Sequence, residues 1–494
     1  MSYIAPSPRR RPYDLEAAAS ISESADWIGL GLLTTIALAL RVSQLHQTLV
    51  GDEIFTYQDV VGHSLTNVLS TVHTGGENSP PLFFVLAWLS AKIGDPSIWI
   101  RLPSLLLGTA TVPVTYAIGR ESVGRTAGLI GAGIMALAPF AVFYAVEARP
   151  YAVMTFFVAL STLALLRAVA PDASRRWWVL YSVAAAAAAY SHYTSIFLLA
   201  VQAVWALGMS RDRIAPALIA TAAIGVLYLP WLPQVRGKAL AVIGALYPLG
   251  ARRVLTDLLR PIPGDPAAPL SAIPTTAGLI VFAACVLGGL AAVLARARRT
   301  RRRALRARLP DRLIPIAALT LATPVGLLLY SLLFTDLWLP RGLSASMPAA
   351  ALLIGALLVA LPVRLAALSV AAVAVVLGAG TLRSFGPAYA RGPYRTIAAY
   401  LDRVVPARDP VALISLAGNL AVREQLQKPH LIAPSLSTMW SDTSAGRRAY
   451  LVLDETLAKL PRIGTPQQPG FELMSRRRYL GSSPTDVLTY RRVS

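Results

Sequence analysis

Long apolar runs separated by short polar or basic stretches dominate the chain. The runs 27–45, 98–118, 125–143, 151–170, 177–192, 194–209, 214–231, 273–295, 313–335, 343–361 and 365–382 each approach the ~20 residues needed to cross the hydrocarbon of a bilayer. The pattern predicts an α-helical polytopic membrane protein of about eleven spans. One further apolar run, 81–93 (PLFFVLAWLSAKI), stops at Gly94-Asp95-Pro96. It is short for a span and suits a helix lying in the interface. With the N-terminus inside and 81–93 not spanning, the loops 120–125, 167–176, 211–213 and 296–312, with Arg364, all face the cytoplasm, and all are basic. If 81–93 spanned, each would flip outside, against the positive-inside rule. The same parity puts 45–99, 144–151, 191–194, 232–272, 335–342 and everything after Arg383 outside. The loop 232–272 strains the rule, because it carries Arg236, Lys238, Arg252, Arg253 and Arg260.

The ends read differently. Residues 1–26, with Arg9, Arg10 and Arg11, are expected to form a flexible cytoplasmic arm. The apolar part that follows starts late and runs long, unlike a cleavable signal peptide. From 383 to 494 the pattern becomes that of a small soluble α/β domain. VALISLAG, RAYLVLDE and VLTYRRV look like strands, and AVREQLQK looks helical.

Composition agrees with a membrane chain: 494 residues, 55% hydrophobic and only 14% charged, against roughly 25% charged in soluble proteins. The net charge of +21 resides mainly between the spans, where it sets orientation. The interleaved aromatics and recognition motifs of a nucleic-acid binder are missing, so no nucleic-acid partner is expected. The single cysteine, Cys285, permits no disulfide within one chain.

Candidate chemistry begins right after the first span, at Gly51-Asp52-Glu53. Ile54, Tyr57, Val61, Leu65, Val68 and Val72 then recur at spacings of three and four, as in an amphipathic surface helix. Two adjacent carboxylates at its start serve either as chemistry or as an N-cap with a first-turn acid. His73, Glu77, Arg101, Glu147, Arg149, His192 and Arg341 fall on the same side by parity. Each has a structural explanation alone. Together they supply carboxylates, guanidiniums and imidazoles at one face, where ionisable groups are costly. Glycosyl transfer from a lipid phosphate needs positive charge on that phosphate, which the guanidinium fork supplies, and one carboxylate base for the acceptor hydroxyl. A divalent cation held by Asp52, Glu53 and His192 is conceivable, though their spacing is no ligand motif.

The chain resembles the GT-C superfamily of membrane glycosyltransferases, in the branch of protein O-mannosyltransferases and the lipid A aminoarabinose transferase. The resemblance rests on Gly51-Asp52-Glu53, Glu77-Asn78-Ser79-Pro80-Pro81-Leu82, Arg101-Leu102-Pro103-Ser104 and Ala138-Pro139-Phe140. It continues through Glu147-Ala148-Arg149-Pro150-Tyr151, Tyr190-Ser191-His192-Tyr193, Leu229-Pro230-Trp231-Leu232-Pro233 and Pro340-Arg341, in that order. Relatives often carry His where this chain has Ser79. The resemblance implies an inverting transferase that takes a sugar from a polyprenyl-phosphate donor. Asp52 is then the general base, with Glu53 positioning substrate or ion beside it. Arg101 and Arg341 are candidates for the donor phosphate. Glu147, Arg149 and Tyr151 shape the site, His192 and Tyr193 contact donor or acceptor, and Glu77 and His73 are further binding candidates. Alanine-, arginine- and leucine-rich usage suggests a GC-rich bacterium, hence a plasma-membrane enzyme with mannose or arabinose as sugar and a cell-envelope glycan, lipid or protein as acceptor. The competing readings are a flippase for the same lipid, and a non-catalytic assembly protein. Transporters show internal repeats and paired broken helices, and neither is evident in this pattern.

Overall fold

The computed structural model describes residues 12–74, 77, 79–170, 172–209, 213–235, 248–303, 313–414, 418–454, 466–481 and 484–493. Helix α1 (Pro12–Val42) begins inside the expected flexible arm, so residues 12–26 are helical, and 1–11 lie outside the described residues. Four short helices follow: α2 (Asp52–Val60), α3 (Leu65–His73), α4 (Leu82–Ser90) and α5 (Pro96–Trp99). The membrane bundle continues with α6 (Leu102–Ser122), α7 (Arg125–Leu137), α8 (Pro139–Ala145), α9 (Tyr151–Ala168), α10 (Arg176–Ser191), α11 (Ser195–Met209) and α12 (Ile214–Tyr228). After α13 (Ala251–Leu259) come α14 (Thr276–Arg303), α15 (Leu313–Leu333), α16 (Met347–Val359) and α17 (Val363–Ser384).

Every one of the eleven expected spans is largely helical. Among the described residues, eight helical segments are long and apolar enough to cross a bilayer, or nine with α7 and α8 as one span bent by 60°. The count of about eleven is therefore not reached by length and apolarity: α10 and α11 have 16 and 15 residues. The bend falls where Pro139 interrupts the α7 ladder. The wholly buried Arg41 guanidinium donates there to the carbonyls of Met135 (3.0 Å) and Ala136 (3.3 Å). Long helices at the margin expose apolar side chains, such as Ile280, Leu287 and Leu294 on α14, as a lipid-facing surface requires. The chain is a multi-pass membrane protein.

The run 81–93 forms the nine-residue α4, too short to span. The single surface helix expected over 54–72 is two. It breaks at Val61-Gly62, where Gly62 adopts φ 78°, and the Ser64 hydroxyl caps α3 by accepting from the Asn67 amide at 3.2 Å. Of the expected apolar register Ile54, Val68 and Val72 are buried and Tyr57, Val61 and Leu65 half-buried, while Val60, outside that register, is also buried.

The excess charge of loop 232–272 has internal employment. Arg260 donates to the carbonyls of Asp265, Pro266 and Ala268 at 3.0–3.2 Å. Arg253 donates to the carbonyl of the buried Trp338, whose indole in turn donates to Asp257 at 3.1 Å. Helix α13 thereby anchors the segment leading to Arg341. Arg236 and Lys238, and 304–312 of the basic run, lie outside the described residues.

The C-terminal α/β domain consists of α18 (Tyr394–Val404), β1 (Pro410–Ile414), α19 (Gly418–Arg423), β2 (Leu431–Ala433), α20 (Leu436–Asp442), β3 (Arg448–Asp454), β4 (Phe471–Tyr479) and β5 (Thr485–Arg492). Its sheet has the order β2-β1-β3-β5-β4, parallel across β2, β1 and β3 and antiparallel across β3, β5 and β4. Strand β4 went unforeseen because it is an edge strand exposed over most of its length, so no alternation marks it. The core under α18 includes Ile54 of α2, which joins this domain to the first loop.

Candidate functional site

Gly51 opens α2 with φ 55°, a conformation natural to glycine. This turn puts Asp52 and Glu53 in the first helical turn with their side chains pointing apart. No side chain caps α2, so the N-cap reading of Asp52 gives way to a different partner. Asp52 Oδ2 accepts from Arg341 Nη1 at 2.5 Å. Both side chains keep 32% of their surface accessible, so the pair can be reached from outside the protein. The Arg341 guanidinium holds Asp52 below the usual carboxylate range, with Arg149 adding to the effect against the opposing push of burial.

Glu53 has the opposite setting. It is fully buried, and Arg101 forks onto it with Nε to Oε1 at 2.7 Å and Nη2 to Oε2 at 2.8 Å. Arg391 Nη1 adds 2.6 Å to Oε2, the Ala148 amide 2.8 Å to Oε1, and the Val50 amide 3.2 Å to Oε2. Burial pushes this carboxyl up, but the two guanidiniums and the amide outweigh it and bring it to about 2. Arg101 spends its remaining donors on the carbonyls of Leu45, Gln47 and Thr48 at 2.7–3.1 Å. All five N–H donors of Arg101 are thereby engaged within the chain, and the Glu53 carboxylate accepts five hydrogen bonds. Glu53 is engaged by Arg101 and Arg391, while Asp52 pairs with Arg341 and His192 bonds Thr194. No group of three or more His, Cys, Asp or Glu suited to a metal ion occurs among the described residues.

The turn between α8 and α9 supplies Glu147, Arg149 and Tyr151, fixed by Ser104 Oγ donating to the Arg149 carbonyl at 3.0 Å. Arg149 forks onto Glu77 at 2.8 and 3.1 Å and donates to Thr56 Oγ1 at 3.2 Å. Burial and the neighbouring Glu77 raise Asp59 to about 6. Glu147 is buried, and its Oε2 has no hydrogen-bonding partner among the described residues. Burial raises this carboxyl to about 7, with Arg391 opposing and the Glu53 and Asp52 charges adding to the rise.

Tyr151 stacks its ring 5.1 Å from Tyr144 and 5.2 Å from His192, and Arg341 lies 5.7 Å over it. His192 Nδ1 accepts from the Thr194 amide at 3.2 Å, so its proton resides on Nε2. Burial, Arg341 and Arg149 lower it to about 3, and it stays neutral. Tyr193 accepts from the Trp231 indole at 3.2 Å. His73, exposed, accepts from the Gln234 amide at 3.0 Å and lies 6.2 Å from Trp231. The fold thus gathers Asp52, Arg341, Glu147, Arg149, Tyr151 and His192, and sets His73 and Tyr193 toward Trp231 at the margin.

The sequence reading missed Thr56, Asp59 and Arg391. A helical signal existed for the first two, since 52, 56 and 59 share one face. Arg391 offered only its position, a basic residue in Arg391-Gly392-Pro393 after the last span.

Residues 78–233 match the family described as dolichyl-phosphate-mannose-protein mannosyltransferase. No curated protein matches the sequence. ArnT from Cupriavidus metallidurans in its apo state superposes with a TM-score of 0.56 at 14% identity, over 94% of this chain and 98% of that one. The same protein bound to undecaprenyl phosphate gives 0.54 at 14% identity, over the same shares of the two chains. At this identity the likeness speaks to architecture, and it extends over nearly the whole length of both proteins: the chain shares the fold of ArnT, and its residues 78–233 are similar to the mannosyltransferase family.

Proposed function

We propose that the protein is an inverting glycosyltransferase that moves a sugar from a polyprenyl-phosphate donor to an acceptor hydroxyl. The reaction takes place at the extracytoplasmic face of a bacterial plasma membrane. The carrying observation is the Asp52–Arg341 pair at 2.5 Å, about a third accessible, beside a Glu53 that is wholly buried. The acceptor oxygen bonds to the anomeric carbon while the bond from that carbon to the phosphate oxygen breaks. The electron pair stays on the phosphate, and the acceptor proton goes to Asp52. Arg341 meets the growing phosphate charge with a fork suited to it.

The resting ion pair has a use in this scheme. Bound to Arg341, Asp52 is a weak base. A donor phosphate competes for that guanidinium, and Asp52 regains basicity only when the donor is seated. Neutral His192, donating from Nε2 and braced by the buried Tyr151 ring, supplies a polar wall for the sugar. That ArnT of Cupriavidus metallidurans binds undecaprenyl phosphate supports the same lipid class here. Mannose or arabinose as the sugar, and an envelope glycan, lipid or protein as acceptor, follow from the resemblance.

The test is to offer membranes containing the protein a panel of polyprenyl-phosphate sugars and follow which is consumed. Consumption of one donor with glycosylated product is expected. Movement of labelled lipid across proteoliposomes without any transfer would instead identify a flippase.

A further inference from the structure

We infer that the C-terminal domain is a positioning element for Asp52, acting through Arg391 on Glu53. The inference rests on the transferase reading for its catalytic consequence, though not for its structural one.

Arg391 lies in the link between α17 and α18, 338 residues from Glu53 in sequence, and its side chain is 3% exposed. One arm of its fork donates to Glu53 Oε2 at 2.6 Å, and the other to the Phe143 carbonyl at 3.1 Å, with the Phe143 ring 4.6 Å away. A planar fork can serve two acceptors at once in a way that a lysine ammonium on a flexible stem cannot. The same link grips the segment leading into α2. The Arg391 amide donates to Gln47 Oε1 at 2.9 Å, and Thr48 Oγ1 donates to the Gly392 carbonyl at 2.5 Å. On the other side of the carboxylates, Ile54 is 1% exposed and sits in the hydrophobic cluster of Tyr394, Ile397, Leu401 and Tyr450.

Asp52 and Glu53 are therefore held between two grips, at 47–48 and at 54, both supplied by the C-terminal domain and its link. The backbone of a base must be placed to within a fraction of an ångström, and a supporting shell of packed, hydrogen-bonded groups achieves this. Arg101 fixes Glu53 to the membrane bundle. Arg391 fixes the same carboxylate to the soluble domain, so Glu53 is the pin through which two parts of the chain agree on where Asp52 stands. With Arg391 removed, Glu53 stays paired to Arg101, so the chain folds while the pin loosens.

The experiment compares Arg391→Gln and Arg391→Lys with the unaltered full-length protein in nanodiscs. Hydrogen–deuterium exchange is followed over residues 47–57, over α9 and over β3 and β5. Arg391→Gln is expected to raise exchange in 47–57 alone. It is also expected to lower kcat by on the order of 10- to 100-fold with the donor KM within about twofold. Arg391→Lys recovers part of both. Unchanged exchange over 47–57 overturns the proposal. A rise spread equally over α9, β3 and β5 also overturns it, because it makes the contact one of general stability. If the unaltered protein transfers no sugar, the transferase reading falls, while the exchange result still decides whether the domain holds the loop.

Discussion

Around Glu53 every polar contact is made within the chain: five hydrogen bonds reach one buried carboxylate, from two guanidiniums and two amides. One residue earlier, the Asp52 carboxylate bonds one side chain among the described residues, and both members of that pair stay accessible. The helix turn separates neighbours by about 100°, enough to give one carboxylate to the interior and leave the other accessible. A closed ion network fixes geometry and gains nothing from a ligand. An open pair can exchange its partner for one. The two neighbours thus combine a closed, buried network with an accessible ion pair.

The sharpest way to break this comparison is to swap the roles by mutation. Asp52→Asn should fold, bind donor lipid and lose on the order of 10² to 10⁴ in transfer rate; a transfer assay with a donor-binding control checks it. Glu53→Gln should act on stability first. It leaves Arg101 and Arg391 buried without their counter-charge, at a cost of about 3–5 kcal/mol, visible as a lower thermal midpoint in detergent. Full activity for the first, or an unchanged midpoint for the second, would reverse the assignment of the two carboxylates.

Arg341→Lys keeps the charge and loses the fork, so kcat/KM for the donor should fall on the order of tenfold, as initial rates against donor concentration would report. The exchange of partners at Asp52 predicts a split in pH behaviour. In the free protein Arg341 holds Asp52 below its ordinary value, so kcat/KM keeps its base ionised well into acid. With donor on Arg341, Asp52 rises, and the acid limb of kcat should lie at higher pH than that of kcat/KM. Coincident limbs would mean that Arg341 never leaves Asp52. The smallest effect is expected from Glu147→Gln. Glu147 is raised to about 7, so it is neutral below that pH, and the amide imitates the neutral form. Transfer should change by less than about threefold at pH 6. The loss of activity that ionising a carboxyl beside Asp52 brings above pH 7 should disappear from the pH profile.

Much of the architecture was legible because it depends on local composition. Apolar runs of span length, the short run at 81–93, the strands at 411–414, 448–454 and 487–492 and the apolar register through 54–72 all follow from residues near one another in sequence. The parity argument put Asp52, Glu147, His192 and Arg341 on one face, and the fold does bring them together. Gly62 was the local signal that the surface helix would break, and the regularity of the apolar spacing concealed it. Arg341 as partner of Asp52 was only half visible, as a cation on the right face.

The sequence by itself determined a multi-span membrane chain with carboxylates and guanidiniums assembled at one end, because hydropathy and charge order are properties of consecutive residues. Only the tertiary structure decided which carboxylate stays accessible. Arg101 lies 48 residues from Glu53, Arg391 lies 338 away, and Arg341 lies 289 from Asp52. An ion pair depends on distance through space and on the water excluded around it, and neither is written in the order of the residues.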